Sequence, residues 1–279
     1  MFRILKRIFL IGLATAIVCL LYGFLIEPNR LVKRAVDIDS PLYDGPALKI
    51  LLLSDMHIGG LHIDSDRVSK IVARVNQDGP YDYVLIPGDF IDGHERRSDR
   101  APETIAEIET GIAHLGDLNG GQNIYASLGN HDTWYGKAAV TDMLLRAGAA
   151  VLDNKSASKN NLCIVGIADF DTARPSPKAG QNCTAGQTKI VITHSPDALK
   201  FAPKDSALIV AGHTHGGQIN IPLIGRRVTA TRAGRAYAYG LKTYDGMPVF
   251  ITAGIGTSML PARFRAPPEY VVVTLRAAK

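Results

Sequence analysis

The feature that most constrains this chain is a series of short apolar runs, each followed within three residues by a polar residue that can bind a metal. Runs of this length are typical of buried strands, and the amphipathic stretches between them indicate helices. The polar residues at the ends of the runs are Asp55, His57, Asp89, Asn130, His131, Asp132, His194, His213 and His215. Strands of an open α/β sheet deliver such residues to one edge, so the pattern predicts an α/β fold with these side chains in one crevice.

Three helices are predicted between the runs. Residues 65–76 repeat apolar side chains at helical spacing and follow Asp64, a residue type that caps helix N-termini. A second helix is expected to begin near Pro102, because proline suits the first helical turn. A third covers residues 137–147 and ends at Gly148, which can adopt the left-handed conformation past a helix end.

The N-terminal segment differs from the rest of the chain. Residues 8–26 form an uncharged, almost entirely apolar run of about 19 residues, roughly the length that crosses a hydrocarbon core as a helix. The basic residues that flank it are Arg3, Lys6, Arg7, Arg30, Lys33 and Arg34. A cleavable signal peptide would have a shorter apolar core. We therefore expect a membrane anchor over residues 1–34, a linker over residues 35–46 and one globular domain over residues 47–279.

The orientation of this anchor stays open on the sequence. The number of basic residues is the same near both ends of the span, so the charge distribution gives almost no orientation. The short basic tail only slightly favours a cytoplasmic N-terminus. Cys163 and Cys183, the cysteines outside the apolar run, can pair in an oxidising compartment or remain thiols in a reducing one. The expectation is a single-pass protein of the inner cell membrane, with a slight preference for a periplasmic domain.

Each polar motif taken alone has an ordinary structural explanation. Asp-x-His, Gly-Asp and Gly-Asn-His-Asp are common in turns, and a single histidine such as His194 is more often a satisfied structural residue. Unrelated turns would not place all of these motifs after successive apolar runs in this order. The net charge of +5 is compatible with a solvated surface, and no nucleic-acid partner is expected.

With every motif in order, the sequence resembles the calcineurin-like metallophosphoesterase superfamily from about residue 48 to residue 275. Residues 212–218, Tyr239-Gly240 and residues 254–264 resemble a membrane-anchored bacterial branch, which includes phosphodiesterases and UDP-2,3-diacylglucosamine pyrophosphatases of lipid A biosynthesis. The resemblance implies a four-layer α/β/β/α sandwich, in which two mixed sheets pack face to face with helices outside. The expected fold is this metallophosphoesterase domain, preceded by one N-terminal transmembrane helix.

The resemblance also implies a binuclear metal centre. The ligands of one metal would be Asp55, His57, Asp89 and His215, and those of the other would be Asp89, Asn130, His194 and His213. Two cations about 3.5–4 Å apart need a shared anion, which accounts for the bridging role of Asp89. Imidazole, amide and carboxylate ligands without thiolate suit Mn, Fe or Zn, and we favour Mn.

Two catalytic residues follow from the same resemblance. His131 adjoins the ligand Asn130 without being a ligand itself, and is expected to stabilise the phosphoryl oxygens or protonate the leaving oxygen. Asp132 is expected to orient His131. Trp134 is a candidate for the wall of the substrate pocket, although packing beneath the loop explains it equally well.

The metal ligands recognise a phosphoryl group and leave the substrate open. The leading hypothesis is hydrolysis of a phosphodiester or pyrophosphate in a lipid-linked or nucleotide-linked substrate, with UDP-2,3-diacylglucosamine as one example. The alternatives are a phosphomonoesterase or protein phosphatase, and a noncatalytic scaffold. Arg263 and Arg265 surround Phe264 and follow Met259, which favours a loop that contacts phosphate at the mouth of the site and faces the bilayer. A solvated basic face explains this cluster equally well.

Overall fold

The computed structural model of the chain describes residues 1–121 and 123–278. The α-helices are α1 (Phe2–Leu21), α2 (Ser65–Asn76), α3 (Pro102–His114) and α4 (Asn130–Arg146). The strands are β1 (Val32–Ser40), β2 (Leu48–Leu52), β3 (Tyr83–Pro87), β4 (Ile124–Ser127), β5 (Ala150–Val151), β6 (Lys155–Lys159), β7 (Leu162–Ile167), β8 (Thr188–Thr193), β9 (Ser206–Ala211), β10 (Asn220–Ile221), β11 (Gly225–Arg226), β12 (Gly240–Tyr244), β13 (Met247–Ile251) and β14 (Glu269–Ala277).

Two mixed sheets form the centre of the domain. The first has the strand order β1-β14-β2-β3-β4-β5, and the second has the order β12-β13-β9-β8-β7-β6. Strands β2 to β5 run parallel in the first sheet, and β7, β8, β9 and β13 run parallel in the second. Strands β10 and β11 form a separate antiparallel hairpin. The carboxyl ends of each parallel set therefore share an edge, and the polar motifs lie there.

The sheets pack against each other through aliphatic side chains such as Ile50 of the first sheet and Leu208 of the second. Helices α2, α3 and α4 cover the outer face of the first sheet, with Ile112 among the buried contacts. The outer face of the second is covered by loops and by the 3-10 segment Pro196–Phe201, where Leu199 is buried. The predicted two-sheet sandwich is confirmed, but in the described residues its fourth layer is irregular and 3-10 structure rather than α-helix.

Local sequence explains where the helices begin. The carboxylate of Asp64 accepts a hydrogen bond of 2.7 Å from the backbone N–H of Arg67, which caps α2 as predicted. Pro102 occupies the first turn of α3. Helix α4 begins at Asn130, earlier than predicted, because Gly136 adopts φ 142° and ψ 95° and joins two helical segments across a kink. The predicted third helix therefore corresponds only to the second segment of α4.

Part of the segment predicted as a linker is a strand of the domain. Strand β1 lies at the edge of the first sheet, parallel to β14, with Val32 beside Glu269 and Ser40 beside Ala277. The guanidinium of Arg34 lies 2.8 Å from the buried carboxylate of Glu269. An edge strand covers only part of the core and alternates apolar with polar residues. For that reason β1 does not stand out as an apolar run in the sequence.

Cys163 and Cys183 form a disulfide. Cys163 lies in β7, and Cys183 lies in the loop that covers the outer face of the second sheet. Of the two states that the sequence left open, the structure contains the paired one.

Asp78 joins three elements at the edge formed by β1 and β14. Its carboxylate accepts hydrogen bonds from Lys33 in β1 at 2.8 Å and from the Tyr270 hydroxyl in β14 at 2.5 Å. Arg74 of α2 lies 3.3 Å away. The bonds from Lys33 and Tyr270 lower the pKa of Asp78 to about 2. The ionised carboxylate therefore stabilises the attachment of β1 to the domain.

We expect Asp78→Asn to lower the free energy of unfolding by about 1 kcal/mol near neutral pH, because the partners of the carboxylate are partly exposed. The folded pKa lies below the unfolded value of about 4, so this stabilisation is complete above about pH 4 and is lost as the pH falls towards 2. Denaturant titrations of both proteins in the same detergent, at about pH 7 and about pH 3, measure the difference. A difference that does not shrink at the lower pH would contradict this assignment.

Candidate metal centre and active site

The side chains predicted as metal ligands lie together at the carboxyl edges of the two sheets. They follow β2, β3, β4, β8 and β9, and they are Asp55, His57, Asp89, Asn130, His194, His213 and His215. All are buried except His213, which is half-buried. Residues that are far apart in the sequence thus share one crevice.

One group of ligand atoms comes from Asp55, His57 and His215, and these atoms lie within 4.8 Å of one another. Nε2 of His57 lies 3.1 Å from Nε2 of His215, which in turn lies 3.7 Å from Oδ1 of Asp55. Oδ2 of Asp55 is buried and has no hydrogen-bond partner among the described residues. A divalent cation would satisfy both the facing imidazole nitrogens and the orphaned carboxylate oxygen, so these residues fit a metal.

A second group is centred on His194. Its Nε2 lies 3.2 Å from Oδ2 of Asp89, 3.0 Å from Nδ1 of His213 and 3.1 Å from Oδ1 of Asn130. The same Oδ2 of Asp89 lies 3.7 Å from Nε2 of His57, which belongs to the first group. Asp89 therefore stands between the two groups, where a bridging carboxylate is required.

Several of these side chains extend from strained backbone. The φ angle is 51° at Asp55, 49° at His57, 54° at Asp89, 69° at His213 and 50° at His215. Residues other than glycine rarely adopt this left-handed conformation, and each instance costs on the order of 1 kcal/mol or more. Such strain persists only where the surrounding structure imposes it. Its concentration on these residues indicates that the site geometry is functionally constrained.

Glycines let one loop pack directly against the ligands of another. A Cβ atom at Gly254, where φ is 65°, would lie 2.6 Å from Cβ of Asp55. A Cβ atom at Gly129 would collide with Oδ1 of Asp89. A side chain at either position would displace a ligand, so both positions require glycine.

Burial and close contacts set the protonation of the ligands. Burial alone would raise the pKa of Asp89, but the neighbouring His194 brings it well below its usual range. Burial lowers the pKa of His215 well below the usual histidine value. An ionised carboxylate and a neutral imidazole are the forms that bind cations, and Asp89 and His215 have these forms near neutral pH. Burial would lower the pKa of His194, but the neighbouring Asp89 raises it well above the usual histidine value, so metal binding there must displace a proton.

The outward-facing nitrogens of two histidines lie close to neighbouring oxygens. Nδ1 of His57 lies 3.3 Å from Oδ1 of Asp92, and Nδ1 of His194 donates to the carbonyl of Pro87 at 2.8 Å. In both rings Nε2 is left to face the centre. The bond to the carbonyl of Pro87 fixes the tautomer and the ring orientation of His194.

His131 lies beside the two groups. Its backbone N–H donates to Oδ1 of Asp89 at 3.0 Å, and its Nδ1 donates to the carbonyl of Gly93 at 2.8 Å. The latter bond leaves Nε2 on the cavity side, 3.4 Å from Oγ of Ser258. Burial lowers the pKa of His131 to about 4, so the ring is neutral near pH 7. Because Nδ1 holds the proton that is bonded to Gly93, Nε2 of the neutral ring accepts a proton, and it donates to a phosphoryl or leaving oxygen only after the ring has taken up that proton.

Asp132 has a different role from the one predicted. Its carboxylate accepts hydrogen bonds from the backbone N–H groups of Asp89 at 2.9 Å, Phe90 at 2.8 Å and Gly129 at 2.9 Å. Among the described residues it makes no hydrogen bond to the His131 side chain. A carboxylate in the first turn of a helix turns back towards free amides, and here those amides belong to the loop that carries Asp89. Asp132 therefore orients Asp89 rather than His131.

A cavity of about 480 Å³ opens beside the metal-ligand groups. Its walls include His94, Trp134, Ile219, Ile221, Val228, Met259 and Leu260. Asp89 and His131 lie at its floor. The ring of Trp134 lies 4.9 Å from that of His131 and 4.7 Å from that of His94, so the structure places Trp134 in the pocket wall. His94 lies outside the motifs, and its position against Trp134 has no signal in the sequence.

A second cavity, of about 510 Å³, meets the first at Trp134 and His213. Its lining is more polar than that of the first cavity and includes Asp171, Asp197 and Arg232. Oδ2 of Asp171 lies 3.6 Å from Nε2 of His213. The site thus has an apolar and a polar compartment on either side of the same ligands.

Arg263 is fully buried, which corrects the prediction that it contacts phosphate at the mouth of the site. Its guanidinium donates to the carbonyl of Ala266 at 2.8 Å and to that of Gly256 at 2.6 Å, and it lies 3.5 Å from Nδ1 of His215. These carbonyl groups occupy the N–H donors of the guanidinium. Arg263 therefore stabilises the loop that lies behind His215. Arg265, the other predicted substrate residue, is exposed.

Comparison with known proteins agrees with this geometry. The sequence profile of the calcineurin-like phosphoesterases matches residues 48–217. An uncharacterised metallophosphoesterase of Aquifex aeolicus is 30% identical over 88% of this chain and 92% of its own length. An uncharacterised metallophosphoesterase of Helicobacter pylori is 28% identical over 82% of this chain and 60% of its own length. A Danio rerio transmembrane protein with a metallophosphoesterase domain is 27% identical over 88% of this chain and 58% of its own length.

The fold, the clustered histidines and carboxylates and the matched profile define a metal-dependent phosphoester hydrolase. The chain belongs to the calcineurin-like phosphoesterase family. The predicted superfamily and the dependence on divalent metal are thereby confirmed. The UDP-2,3-diacylglucosamine branch remains a prediction. The chain spans about three fifths of the Helicobacter pylori and Danio rerio relatives.

Proposed function

We propose that the protein is a two-metal phosphoesterase that hydrolyses a phosphodiester or pyrophosphate bond in a lipid-linked substrate at a membrane. The observation that supports this best is the apolar cavity next to the ligands, with Asp89 and His131 at its floor and Ile221, Val228 and Met259 in its walls. A phosphoryl group bound at the floor would place an attached hydrocarbon against these walls. Each buried CH₂ group would contribute about 0.8 kcal/mol.

The roles of the residues follow from their positions. One metal would be held by Asp55, His57 and His215, the other by Asn130, His194 and His213, with Asp89 shared between them. Mn, Fe and Zn all fit these donors, and we favour Mn. Divalent metals at this position supply positive charge to the phosphoryl oxygens and lower the pKa of water. His131 presents Nε2 to the phosphoryl or leaving oxygen, and Asp132 holds the loop of Asp89 in place.

The polar compartment would take the part of the substrate on the other side of the scissile bond. Asp171 and Arg232 offer charged groups suited to a sugar or nucleotide, whereas the carboxylate of Asp197 is occupied by the backbone N–H groups of Arg232 and Ala233. A phosphomonoesterase or protein phosphatase has no comparable use for the apolar wall of the first cavity, so these alternatives explain less of the site.

The N-terminal helix supports a membrane location. The helical segment Phe2–Asn29 is long and apolar enough to cross a bilayer, and α1 has no buried residue. The disulfide between Cys163 and Cys183 favours a domain outside the reducing cytoplasm. We therefore propose a single span in the inner membrane, with the catalytic domain on the periplasmic side and β1 included in that domain.

The test compares two phosphodiesters with the same leaving group, one bearing an acyl chain and one without it. With Mn-loaded full-length protein in detergent, kcat/KM should be about tenfold or more higher for the acylated ester, since about two buried CH₂ groups already contribute this much. Val228→Ser together with Met259→Ser should reduce the preference. Leu241→Ser, an exposed apolar residue outside the cavity lining, is the matched control.

Equal kcat/KM for both esters would contradict the proposal that the substrate is lipid-linked, and the phosphoesterase assignment would stand. A protein that hydrolyses neither ester, nor a phosphomonoester, with any of the three metals would favour the noncatalytic scaffold instead.

A further inference from the structure

The mouth of the apolar cavity carries large apolar side chains that the described protein does not cover. Leu223 is fully exposed, Met259 is 92% exposed and Val228 is 73% exposed. Ile224 and Leu260 are exposed by 50% and 44%. We call these five residues the apolar rim. A concentration of exposed apolar side chains at the edge of a binding site is typical of a surface that contacts a partner.

The two segments of the apolar rim form one connected unit. The backbone N–H of Asn220, at the base of the β10–β11 hairpin, donates to the carbonyl of Phe264 at 2.8 Å. The side chain of Gln218 donates to the carbonyl of Leu260 at 2.6 Å and accepts from the N–H of Ser258 at 3.0 Å. The hairpin and the 258–264 loop are therefore held together on the same side of the cavity.

This unit is bonded to the base of the N-terminal helix. The backbone N–H of Arg263 donates to the carbonyl of Gly23 at 2.9 Å. The buried carboxylate of Glu27 accepts from the N–H of Arg265 at 2.8 Å. These bonds hold the 258–264 loop against the helix that is proposed to cross the membrane, so the position of the apolar rim relative to that helix is set by the fold.

The contact at Tyr22 indicates the depth of the loop. The apolar run ends at Ile26, and Tyr22 precedes it by about one helical turn, or roughly 6 Å along the helix axis. The ring of Phe264 packs edge-on against that of Tyr22, with centroids 6.2 Å apart. A loop that reaches this level beside a membrane span lies in the interfacial layer, where aromatic and apolar side chains are stabilised.

We propose that the apolar rim is a docking surface for an anionic lipid bilayer, with the hairpin tip at Leu223 and Ile224 inserted among the acyl chains. The proposal rests on the membrane location of α1 given above. Exposed Arg227 and Arg265 lie in the same two segments and match anionic head groups. Docking in this way turns the mouth of the cavity towards the lipid, so a lipid-linked substrate can enter without crossing water.

The depth of the hairpin tip can be measured directly. In full-length protein that carries Cys19→Ser, Leu223→Cys is labelled with an environment-sensitive fluorophore and placed in nanodiscs of anionic lipid. We expect emission at shorter wavelength than in water and quenching by brominated acyl chains. Asn160→Cys is the matched control, because the turn between β6 and β7 lies at the opposite end of β7 from the site. Water-like emission at position 223, or equal quenching at both positions, would overturn the docking surface.

A hydrolysis measurement separates this inference from the proposed function. Leu223 and Ile224 do not line the cavity, so Leu223→Glu with Ile224→Glu should slow hydrolysis of a lipid-linked ester in a bilayer several-fold and leave a soluble ester unchanged. An unchanged rate on the bilayer substrate would reject the docking surface while the proposed function stands. If position 223 is lipid-exposed but acylated and soluble esters react equally in detergent, the docking surface stands and the lipid-linked substrate is rejected.

Discussion

His131→Ala is expected to lower kcat for phosphoester hydrolysis by about 10²–10⁴-fold while the protein keeps its bound metal. The imidazole presents Nε2 to the cavity, whereas its Nδ1 is bonded to the carbonyl of Gly93. The backbone N–H of His131, which bonds to Asp89, is retained in the variant. The substitution therefore removes an interaction with the reacting phosphoryl group and leaves the support of the metal ligands in place.

Elemental analysis and steady-state kinetics on the same preparation separate these effects. His114→Ala is the matched control, because His114 lies at the end of α3 and lines neither cavity. It should retain normal turnover and metal content. Near-normal turnover in His131→Ala, or loss of metal from it, would contradict the role assigned to the imidazole.

Asp89→Ala is expected to lose metal and activity together. Oδ2 of Asp89 lies 3.2 Å from Nε2 of His194 and 3.7 Å from Nε2 of His57, so both groups of ligands lose an anionic member at once. Two cations so close together would then repel each other without a shared negative charge. The loss of activity should equal or exceed that of His131→Ala.

A comparison with Asp55→Ala distinguishes the loss of a shared carboxylate from the loss of a carboxylate that belongs to one group only. Asp55 belongs to one group only, so its removal should reduce metal content by about half, whereas Asp89→Ala should abolish it. Circular dichroism of each variant shows whether the fold is retained. Metal per chain is measured by elemental analysis and by calorimetric titration of the apoprotein. Full metal content in Asp89→Ala would contradict the bridging position.

The residues of the site were predictable because their signals are local. Asp55, Asp89 and His194 each follow an apolar run within three residues, and a parallel strand carries the residues after it to the sheet edge wherever that strand lies. The apolar N-terminal helix is equally local, since its length and composition decide whether it can cross a bilayer. These properties depend on neighbouring residues and not on the path of the chain.

The boundary between the apolar N-terminal helix and the domain was less predictable, because β1 is defined by its partner β14. A protein shortened to begin near residue 34 would cut into β1 and would lack Glu27, which is buried against the backbone of Arg265. The sequence shows polar and apolar residues alternating here, which is equally compatible with a linker.

By itself, the sequence determined which polar side chains follow the strands, the family and the apolar helix, because each depends on residue type and short-range spacing. The tertiary structure alone decided that Arg263 is buried behind His215, that Asp132 binds the backbone of Asp89 and that an apolar cavity adjoins the ligands. The physical reason is that burial and hydrogen-bond partners are set by segments distant in the chain. From the sequence alone, an arginine in a basic segment is predicted to be exposed. Folding brings together the carbonyl groups that accept its hydrogen bonds and allow it to be buried.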